Sequence, residues 1–504
     1  MSSRDLTLAL DIGTGSVRAA LVDMAGSIVA IAAREHEQIV PSFGWSEQRP
    51  ADWWAGVVHT VRTLLKDFPD ARERIAMVAA CGQMHGTVLV DDHGALTRDS
   101  APLWNDKRTV PQVAAYEAEH APESYLARTG NPATPAWPAF KLQWLRDHDP
   151  DAYRRARAVL MPKDYINLRL TGVTGMDRTE AACSFLMDPR TGAWSLDTCL
   201  ELGLNIDKLA TIRDPLSILG AVTVQAAGET GLRSGTPVLV GGGDYPVGLL
   251  GSGVCRPGLG SEMIGTSCIV TLVTPQALLD PAISNVATVE GDWGAFMLLE
   301  SGGDAMRWAR RAFHDKELGY TDIVAKAAQA PAGSDALLFM PYLSGERFGR
   351  HRNARAQFFG IGAAHGLAHL HRAVLEGVAF GVKRHIDIMQ QAAGVRLERL
   401  IASGGGARTP LWLKIKASVY NVPIAVPREA ECSIVGCAVM AAVASGHHAS
   451  VQDAAQAMVG YGEEVLPEPR WVDTYARMQP VFEKLYAHSQ AMYDDLDRLS
   501  AVAS

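Results

Sequence analysis

The sequence predicts an α/β protein made of two related halves with a cleft between them. Short apolar segments end in glycine-rich loops, and several of these loops lead into helices. This order of elements is typical of layered α/β folds. A glycine-rich turn between two strands also occurs twice, near residues 11 and 265. Because 504 residues exceed what one hydrophobic core usually holds, we expect two domains, residues 1–250 and 251–504.

The first half begins with an apolar strand over residues 6–10 that ends at Asp11. Two further strands are predicted over residues 18–23 and 28–33, so that hairpins surround the glycine-rich turn. Asp52 is predicted to cap the next helix, since aspartate is favoured at that position. A strand over residues 77–80 then runs into the loop that contains Met84 and His85.

Later segments repeat this order of strand, glycine loop and helix. Strands over residues 238–240, 262–264 and 399–402 each lead into glycines. Proline at position 410 suits the first turn of a helix over residues 410–420. Apolar residues at helical spacing predict a long helix between these strands; they are Leu367, Leu370, Val374 and Val378.

Composition restricts the class of protein. With 48% hydrophobic and 20% charged residues, the chain reads as an ordinary globular protein. Its net charge of −8 gives no basic face for nucleic acid. The seven cysteines form no C-x-x-C pair, which fits a reducing compartment, and no apolar run reaches the ~20 residues that span a bilayer. We expect a cytoplasmic protein without nucleic-acid or membrane partners, and the sequence permits a homodimer.

The turn from Asp11 to Arg18 has the composition of a phosphate-binding loop. Glycines let backbone N–H groups approach phosphate, Thr14 and Ser16 add hydroxyl groups, and Arg18 adds charge. Asp11 suits a hydrated magnesium ion, which takes few carboxylates. A plain hairpin turn with an aspartate at its edge is the alternative. The second turn, at Gly265 and Thr266, favours phosphate binding.

Asp244 follows three glycines at a strand end, where a ligand can approach it. Phosphoryl transfer to an alcohol needs a positioned base, and Asp244 suits that role. The alternative is that Asp244 caps the following helix. His85 could donate to a sugar hydroxyl or be a satisfied loop residue, and the spacing does not decide between these.

In their order along the chain, these segments resemble the FGGY carbohydrate kinase family and, within it, the xylulokinases. The resemblance rests on segments distributed over most of the chain. They are Leu10–Ser16, Trp45–Trp54, Gly82–Gly86, Leu103–Arg108, Pro162–Tyr165 with Leu170–Gly172, Pro341–Arg347, and Gly404–Arg408 with Pro410–Trp412.

The resemblance implies two actin-like (ribonuclease H-like) ATPase domains, with sugar and phosphate sites in the first and nucleotide sites in the second. It implies that Asp244 is the catalytic base, that Asp11 supports Mg²⁺, and that Met84 and His85 contact the sugar. The residues expected to bind ATP are Thr14, Gly15, Ser16, Arg18, Gly265, Thr266, Gly303, Arg307, Gly405 and Gly406. The implied reaction converts a ketose and ATP to a sugar phosphate and ADP, with D-xylulose as the default acceptor.

Three positions depart from the xylulokinase pattern. Tyr245 stands where an asparagine usually follows the catalytic aspartate, Phe140 replaces a proline, and residues 346–351 replace a Glu-Arg-Thr-Pro-His segment. Tyr245 would reshape the sugar pocket, so L-xylulose, ribulose, erythrulose, a tetritol or autoinducer-2 stay open as acceptors. An actin- or Hsp70-like ATPase would not need the Met84–His85 loop, and a catalytically dead regulator would be expected to lose Asp11 or Asp244.

Overall fold

The described strands form two large mixed β-sheets and several two-stranded ones. The computed structural model describes residues 4–314, 316–346 and 351–502, so most of the departure at residues 346–351 lies outside the described residues. The chain separates into two units that are discontinuous in sequence. The first unit comprises Met1–Cys255, Pro275–Gly294 and Glu429–Gly460, and the second comprises Arg256–Thr274, Ala295–Arg428 and Tyr461–Ser504.

The strands that carry the candidate site residues are numbered here in chain order. They are β1 (Leu6–Ile12), β2 (Ser16–Asp23), β3 (Ile28–Glu35), β4 (Ile75–Gly82), β5 (Ile218–Ala221), β6 (Pro237–Leu239), β7 (Gly242–Gly243), β8 (Leu259–Ile264), β9 (Cys268–Thr274), β10 (Trp293–Leu299), β11 (Arg399–Gly404) and β12 (Ile424–Ala425). The helices that support them are α1 (Pro50–Asp67), α2 (Pro162–Thr171), α3 (Arg178–Ala182), α4 (Asp244–Gly251), α5 (Gly303–His314), α6 (Leu367–Ala393), α7 (Pro410–Tyr420) and α8 (Cys432–Ala444).

In the first unit the sheet has the strand order β5-β6-β4-β1-β2-β3, and β7 also pairs with β4. The glycine-rich turn joins β1 and β2 as an antiparallel hairpin, whereas β1 and β4 run parallel with Ile12 opposite Gly82. Strand β1 is fully buried, which explains why it is apolar except for Thr7 and Asp11. The predicted hairpin and the strand before Met84 are confirmed.

Helix α1 packs on β2 and β3 through a buried apolar face that includes Trp53, Val57 and Val61. The predicted helix is therefore present. The prediction that Asp52 caps it is wrong, because the helix begins at Pro50 with Arg49 at the N-cap. Proline is favoured in the first helical position, so the helix begins three residues earlier than predicted and Asp52 lies in its first turn.

Helix α8 belongs to the segment that returns to the first unit, where it packs against α4, β1 and β4. The two helices approach closely at a glycine on each. A Cβ on Gly251 would lie 1.8 Å from the carbonyl oxygen of Cys432, and one on Gly436 would lie 2.0 Å from that of Val247. Only glycine fits these positions, so the middle and the end of α4 are held by a close helix–helix contact.

In the second unit five strands lie in the order β10-β9-β8-β11-β12. Strands β8 and β9 form an antiparallel hairpin, and β8 and β11 run parallel with Ile264 opposite Gly404. This arrangement matches that of β1, β2 and β4 in the first unit. The predicted repetition is thus confirmed, as are the predicted helices, which appear as α6 and α7.

Two predictions from composition can be compared with the structure. All seven cysteines are free, as the scattered spacing predicts. Within the described ranges, no helix combines the length and apolar character needed to cross a membrane.

Candidate active site

The carboxyl ends of β1, β4 and β7 lie side by side in the first unit. Ile12 is opposite Gly82, and Gly82 is opposite Gly243. The backbone N–H of Gln83 donates to the carbonyl of Ile12 at 2.8 Å, which extends this contact by one residue. Open α/β sheets bind ligands outside the carboxyl ends of their strands. The predicted residues of the first half therefore reach one edge of one sheet.

Met84 lies directly against the glycines that precede Asp244. A Cβ on Gly243 would come within 2.8 Å of the Met84 side chain, so a larger residue at position 243 would clash with this methionine. Met84 is buried, whereas Asp244 and Tyr245 are half-buried. The structure thus places Met84 against the residue that precedes Asp244 and Tyr245, and their contacts with a sugar stay a prediction.

Asp244 is the first residue of α4, and Gly243 occupies the N-cap position. The alternative in which Asp244 caps this helix is therefore not realised. Desolvation raises the pKa of the Asp244 carboxyl to about 7, and the neighbouring negative charge of Asp11 acts in the same direction. A carboxyl with a pKa near neutrality can accept and release a proton at the pH at which enzymes operate.

Asp11 is 1% exposed and pairs with one cation. Its Oδ2 accepts a hydrogen bond from Arg18 at 2.6 Å, whereas its Oδ1 meets no hydrogen-bond partner among the described residues. Burial raises the pKa of the Asp11 carboxyl, and the charge of Arg18 opposes this rise. A buried oxygen with no protein partner at the edge of a sheet has the chemistry of a ligand for a hydrated cation.

Arg18 is shared between two carboxylates. Its second partner is Glu431, at the N-cap of α8 in the returning segment. Because Asp11 and Glu431 both engage the guanidinium, Arg18 is held where it orients Asp11. The direct phosphate contact predicted for Arg18 stays a prediction.

Hydrogen bonds fix the backbone of the turn at Thr14, Gly15 and Ser16, and the space over Gly15 is free. Gln48 donates to the Thr14 carbonyl at 2.6 Å, and the Thr14 hydroxyl donates to Gln83 at 3.2 Å. Gly15 is exposed, and a Cβ there would have no atom within 4 Å. The turn is therefore a fixed backbone with free space over its glycine, as a phosphate-binding loop requires.

His85 has a strained backbone with a φ of 67°, a region that few residues other than glycine adopt. Nζ of the fully buried Lys141 donates to the His85 carbonyl at 2.7 Å and to that of Ala136 at 2.8 Å, and burial lowers the pKa of this lysine to about 7. Burial and the charge of Lys141 lower the pKa of His85 to about 3, so its imidazole is neutral.

The hydrogen bond of the imidazole determines its tautomer. Nδ1 of His85 lies 3.1 Å from the carbonyl oxygen of Cys183, which can only accept. Nδ1 must therefore carry the proton, and Nε2 is left with a lone pair. His85 thus offers an acceptor for a hydroxyl group, whereas the sequence suggested a donor. Lys141, which fixes this residue, was missed as a functional residue because the contact joins positions 56 apart.

The predicted nucleotide residues of the second half also converge. The N–H of Gly303 donates to the carbonyl of Gly265 at 3.1 Å, and the N–H of Asp304 donates to that of Thr266 at 3.0 Å. The Arg307 guanidinium reaches the Thr266 hydroxyl at 3.4 Å. The N-terminus of α5 is therefore docked on the turn between β8 and β9.

Gly405 and Gly406 follow β11 on the other side of β8. Gly405 is exposed, and a Cβ on Gly406 would lie 2.8 Å from the Ile264 side chain. A buried ion pair of Glu262 and Lys416, 2.8 Å apart, joins β8 to α7 behind these glycines. The second unit therefore gathers its predicted residues at the carboxyl ends of two parallel strands.

Gly303 offers a test of this arrangement. A Cβ there would lie 2.2 Å from the carbonyl oxygen of Gly265, so Gly303→Ala must push α5 away from the turn. We expect the KM for nucleotide to rise about tenfold, the loss of roughly one hydrogen bond. Gly366→Ala in the same unit meets no atom within 4 Å and serves as the control. Equal KM values for the two variants would contradict the arrangement.

With this geometry established, comparisons with known proteins decide the family. The model of the N-terminal domain of the FGGY family of carbohydrate kinases matches residues 6–251, and that of the C-terminal domain matches residues 261–445. The chain belongs to the FGGY family of carbohydrate kinases. It is therefore a phosphotransferase that takes an alcohol group as acceptor, and kinases of this family use ATP.

The relatives of this FGGY kinase align with most of its length. The xylulose kinase of Escherichia coli (strain K12) is 31% identical over 420 residues, covering 82% of this chain and 84% of that protein. The autoinducer-2 kinase of Klebsiella pneumoniae is 30% identical over 511 residues, covering 97% and 94%. The crystal structure of xylulose kinase from Rhodospirillum rubrum has a TM-score of 0.91 at 31% identity, covering 97% of this chain and 100% of that one. The predicted two-domain α/β fold is confirmed.

Proposed function

We propose that this chain transfers the γ-phosphoryl group of ATP to a hydroxyl of a ketose, and that D-xylulose is converted to D-xylulose 5-phosphate. The family supplies the reaction class, and the xylulose kinases among its relatives support this acceptor. Seven free cysteines fit a cytoplasmic enzyme.

The position of Asp244 is the observation that carries the proposal. Its carboxyl stands at the start of α4, beside Met84, with a pKa raised to about 7. In the proposed step this carboxylate accepts the proton of the sugar hydroxyl. The hydroxyl oxygen forms a bond to the γ-phosphorus, and the bond from the γ-phosphorus to its bridging oxygen breaks, so that ADP leaves with that electron pair.

Each of the two glycine-rich turns would contribute contacts to the phosphates of ATP. Thr14, Gly15 and Ser16 supply one set of donors, and the docked N-terminus of α5 supports the second turn at Gly265 and Thr266. Gly303 and Arg307 would complete the phosphate contacts, and Gly405 and Gly406 would lie beside the adenosine.

The residues present fit a magnesium ion. The described residues contain no group of three or more His, Cys, Asp or Glu side chains that could hold a metal, but magnesium keeps most of its waters and needs only one or two carboxylates. Asp11, with its unpartnered Oδ1, would hold such an ion. When bound there, magnesium would neutralise charge on the phosphates.

The acceptor would lie against Met84, His85 and Tyr245. The lone pair on Nε2 of His85 would accept a hydrogen bond from a sugar hydroxyl. The Tyr245 side chain would occupy space next to Asp244, the proposed base. A second candidate acceptor is autoinducer-2, since the Klebsiella relative is a kinase for it and Tyr245 replaces the asparagine expected in a xylulokinase.

A screen for ADP release over pentuloses, tetruloses, polyols and autoinducer-2 separates these acceptors. We expect D-xylulose to give the highest kcat/KM. If another compound gives a higher kcat/KM, that compound is the acceptor and the proposed phosphoryl transfer still stands. If no compound stimulates ADP release, the proposal is wrong.

Tyr245→Asn should change acceptor preference more than it changes the KM for ATP. Contacts in a specificity pocket are worth about 1–3 kcal/mol, so we expect the ratio of kcat/KM values between two ketoses to change about tenfold or more. Tyr245→Phe keeps the bulk and should keep the ratio. If the ratios of the asparagine variant equal those of the wild type, Tyr245 does not line the acceptor site.

A further inference from the structure

The three glycines before Asp244 have no side chains that could fix the backbone leading to the proposed base. Gly241, Gly242 and Gly243 carry no side chains to pack, and glycine loses the most backbone freedom on ordering. Gly241 also has a φ of 77°. A base at the end of such a run needs contacts from elsewhere to hold its backbone.

Buried side chains hold this run at both ends, and the backbone N–H of Gly241 donates to the Pro215 carbonyl at 3.1 Å. Before the run, the Val240 carbonyl accepts hydrogen bonds from Lys163 at 3.1 Å and from Asn167 at 2.8 Å. After it, the backbone N–H of Gly243 donates to the hydroxyl oxygen of Thr179 at 2.9 Å. Pairing of β7 with β4 supports the same segment from the side. The Gly243 contact is one residue from Asp244.

Thr179 is itself fixed by a chain of buried charges. Its hydroxyl donates to Oδ1 of Asp177, which also accepts from the Thr179 backbone N–H at 2.7 Å. Oδ2 of Asp177 lies 2.7 Å from Nζ of Lys163, and that ammonium also contacts Asp164 at 2.5 Å. All four side chains are 0–1% exposed. The hydroxyl hydrogen therefore points to Asp177, which leaves a lone pair aimed at Gly243.

We propose that Thr179 is a positioning residue for Asp244, acting through the Gly243 N–H, and that Asp177 and Lys163 orient its hydroxyl. This inference rests on the proposed role of Asp244 as the base. Thr179 contacts neither substrate nor the reacting atoms. It holds the backbone so that the carboxylate meets the acceptor hydroxyl, and a displacement of about 1 Å at such a site can cost about 100-fold in rate.

Thr179→Val keeps the shape of the side chain and removes both hydrogen bonds of the hydroxyl. We expect kcat for ADP release with D-xylulose to fall about 10- to 100-fold while the KM for ATP stays within about threefold. Thr179→Ser restores the hydroxyl and should recover kcat to within about threefold. A valine variant with a kcat within about twofold of the wild type, or a serine variant as impaired as the valine one, would overturn the inference.

Thr230→Val controls for loss of stability alone. The Thr230 hydroxyl is also buried, donating to the Ala226 carbonyl at 2.6 Å and accepting from the Leu232 N–H at 3.2 Å. Thr230→Val should lower the unfolding temperature without a loss of kcat. If Thr230→Val and Thr179→Val lose kcat equally, Thr179 has only a structural role. If Thr179→Val does not fold, Thr179→Cys, a weaker acceptor, should still lower kcat at least about fivefold, and wild-type kcat there overturns the inference.

Asp244→Asn in the same assay distinguishes an error in the proposed base from an error in the proposed positioning role of Thr179. Wild-type turnover in that variant would remove the proposed base itself. An inactive Asp244→Asn enzyme together with a fully active Thr179→Val enzyme would remove only the positioning role.

Discussion

We expect Asp244→Asn to lower kcat by about 10²–10⁴-fold, the usual contribution of a positioned general base. The asparagine side chain has the size of aspartate but cannot take the proton of the acceptor hydroxyl. Nucleotide affinity should change little, because the residues proposed to bind the nucleotide lie on other turns. Steady-state ADP release gives kcat, and calorimetric titration with a non-hydrolysable ATP analogue gives the affinity.

The matched control is Asp70→Asn, which makes the same change in the same unit. Asp70 is exposed and pairs with Arg74 at the surface, so its loss should leave kcat unchanged. Full activity in the Asp244 variant would remove the base, and weakened nucleotide binding to the same degree as kcat would show that Asp244 acts on the donor instead.

Asp11→Asn should have the second-largest effect. The substitution removes the negative charge of a buried carboxyl whose Oδ1 has no partner among the described residues and whose Oδ2 pairs with Arg18. We expect kcat to fall about 10²–10³-fold, as when one electrostatic group for a transferring phosphoryl is removed. The magnesium concentration for half-maximal activity should rise, and a titration with magnesium at saturating ATP measures both effects.

Asp5→Asn is the control for loss of an arginine–aspartate pair. Asp5 binds Arg74 at 2.9 Å at the surface, outside the candidate site. It should leave both kcat and the magnesium requirement as they are. An Asp11 variant with reduced kcat and an unchanged magnesium requirement would mean that Asp11 serves only to hold Arg18.

Features that depend on neighbouring residues could be predicted from the sequence. The hairpins around the two glycine-rich turns and the helix over Pro410–Tyr420 follow local patterns of apolar residues, glycine and proline, and the structure has them. Asp11, Asp244, Gly265 and Gly405 stood out because each lies at or just after a strand end, where parallel strands bring neighbouring loops together.

Contacts between distant residues could not be predicted in this way. Thr179 meets Gly243 across 64 positions, and Arg18 meets Glu431 across 413. The return of Glu429–Gly460 to the first unit is equally invisible to local patterns, so a division near residue 250 taken from repetition alone does not foresee it. Residues that hold the site in place therefore emerge only once the fold is known.

The pH dependence of kcat/KM for the acceptor tests the central claim most directly. Asp244 must be ionised to act as a base, and its pKa is raised to about 7. Below that pH the carboxyl is protonated in the free enzyme, so kcat/KM should fall tenfold per pH unit and should reach a plateau above about pH 7. Asp244→Asn should lack this acidic limb in its residual activity. A wild-type profile that is flat between pH 5 and pH 8, roughly the range over which enzymes are most stable, would contradict the assignment of Asp244 as the base.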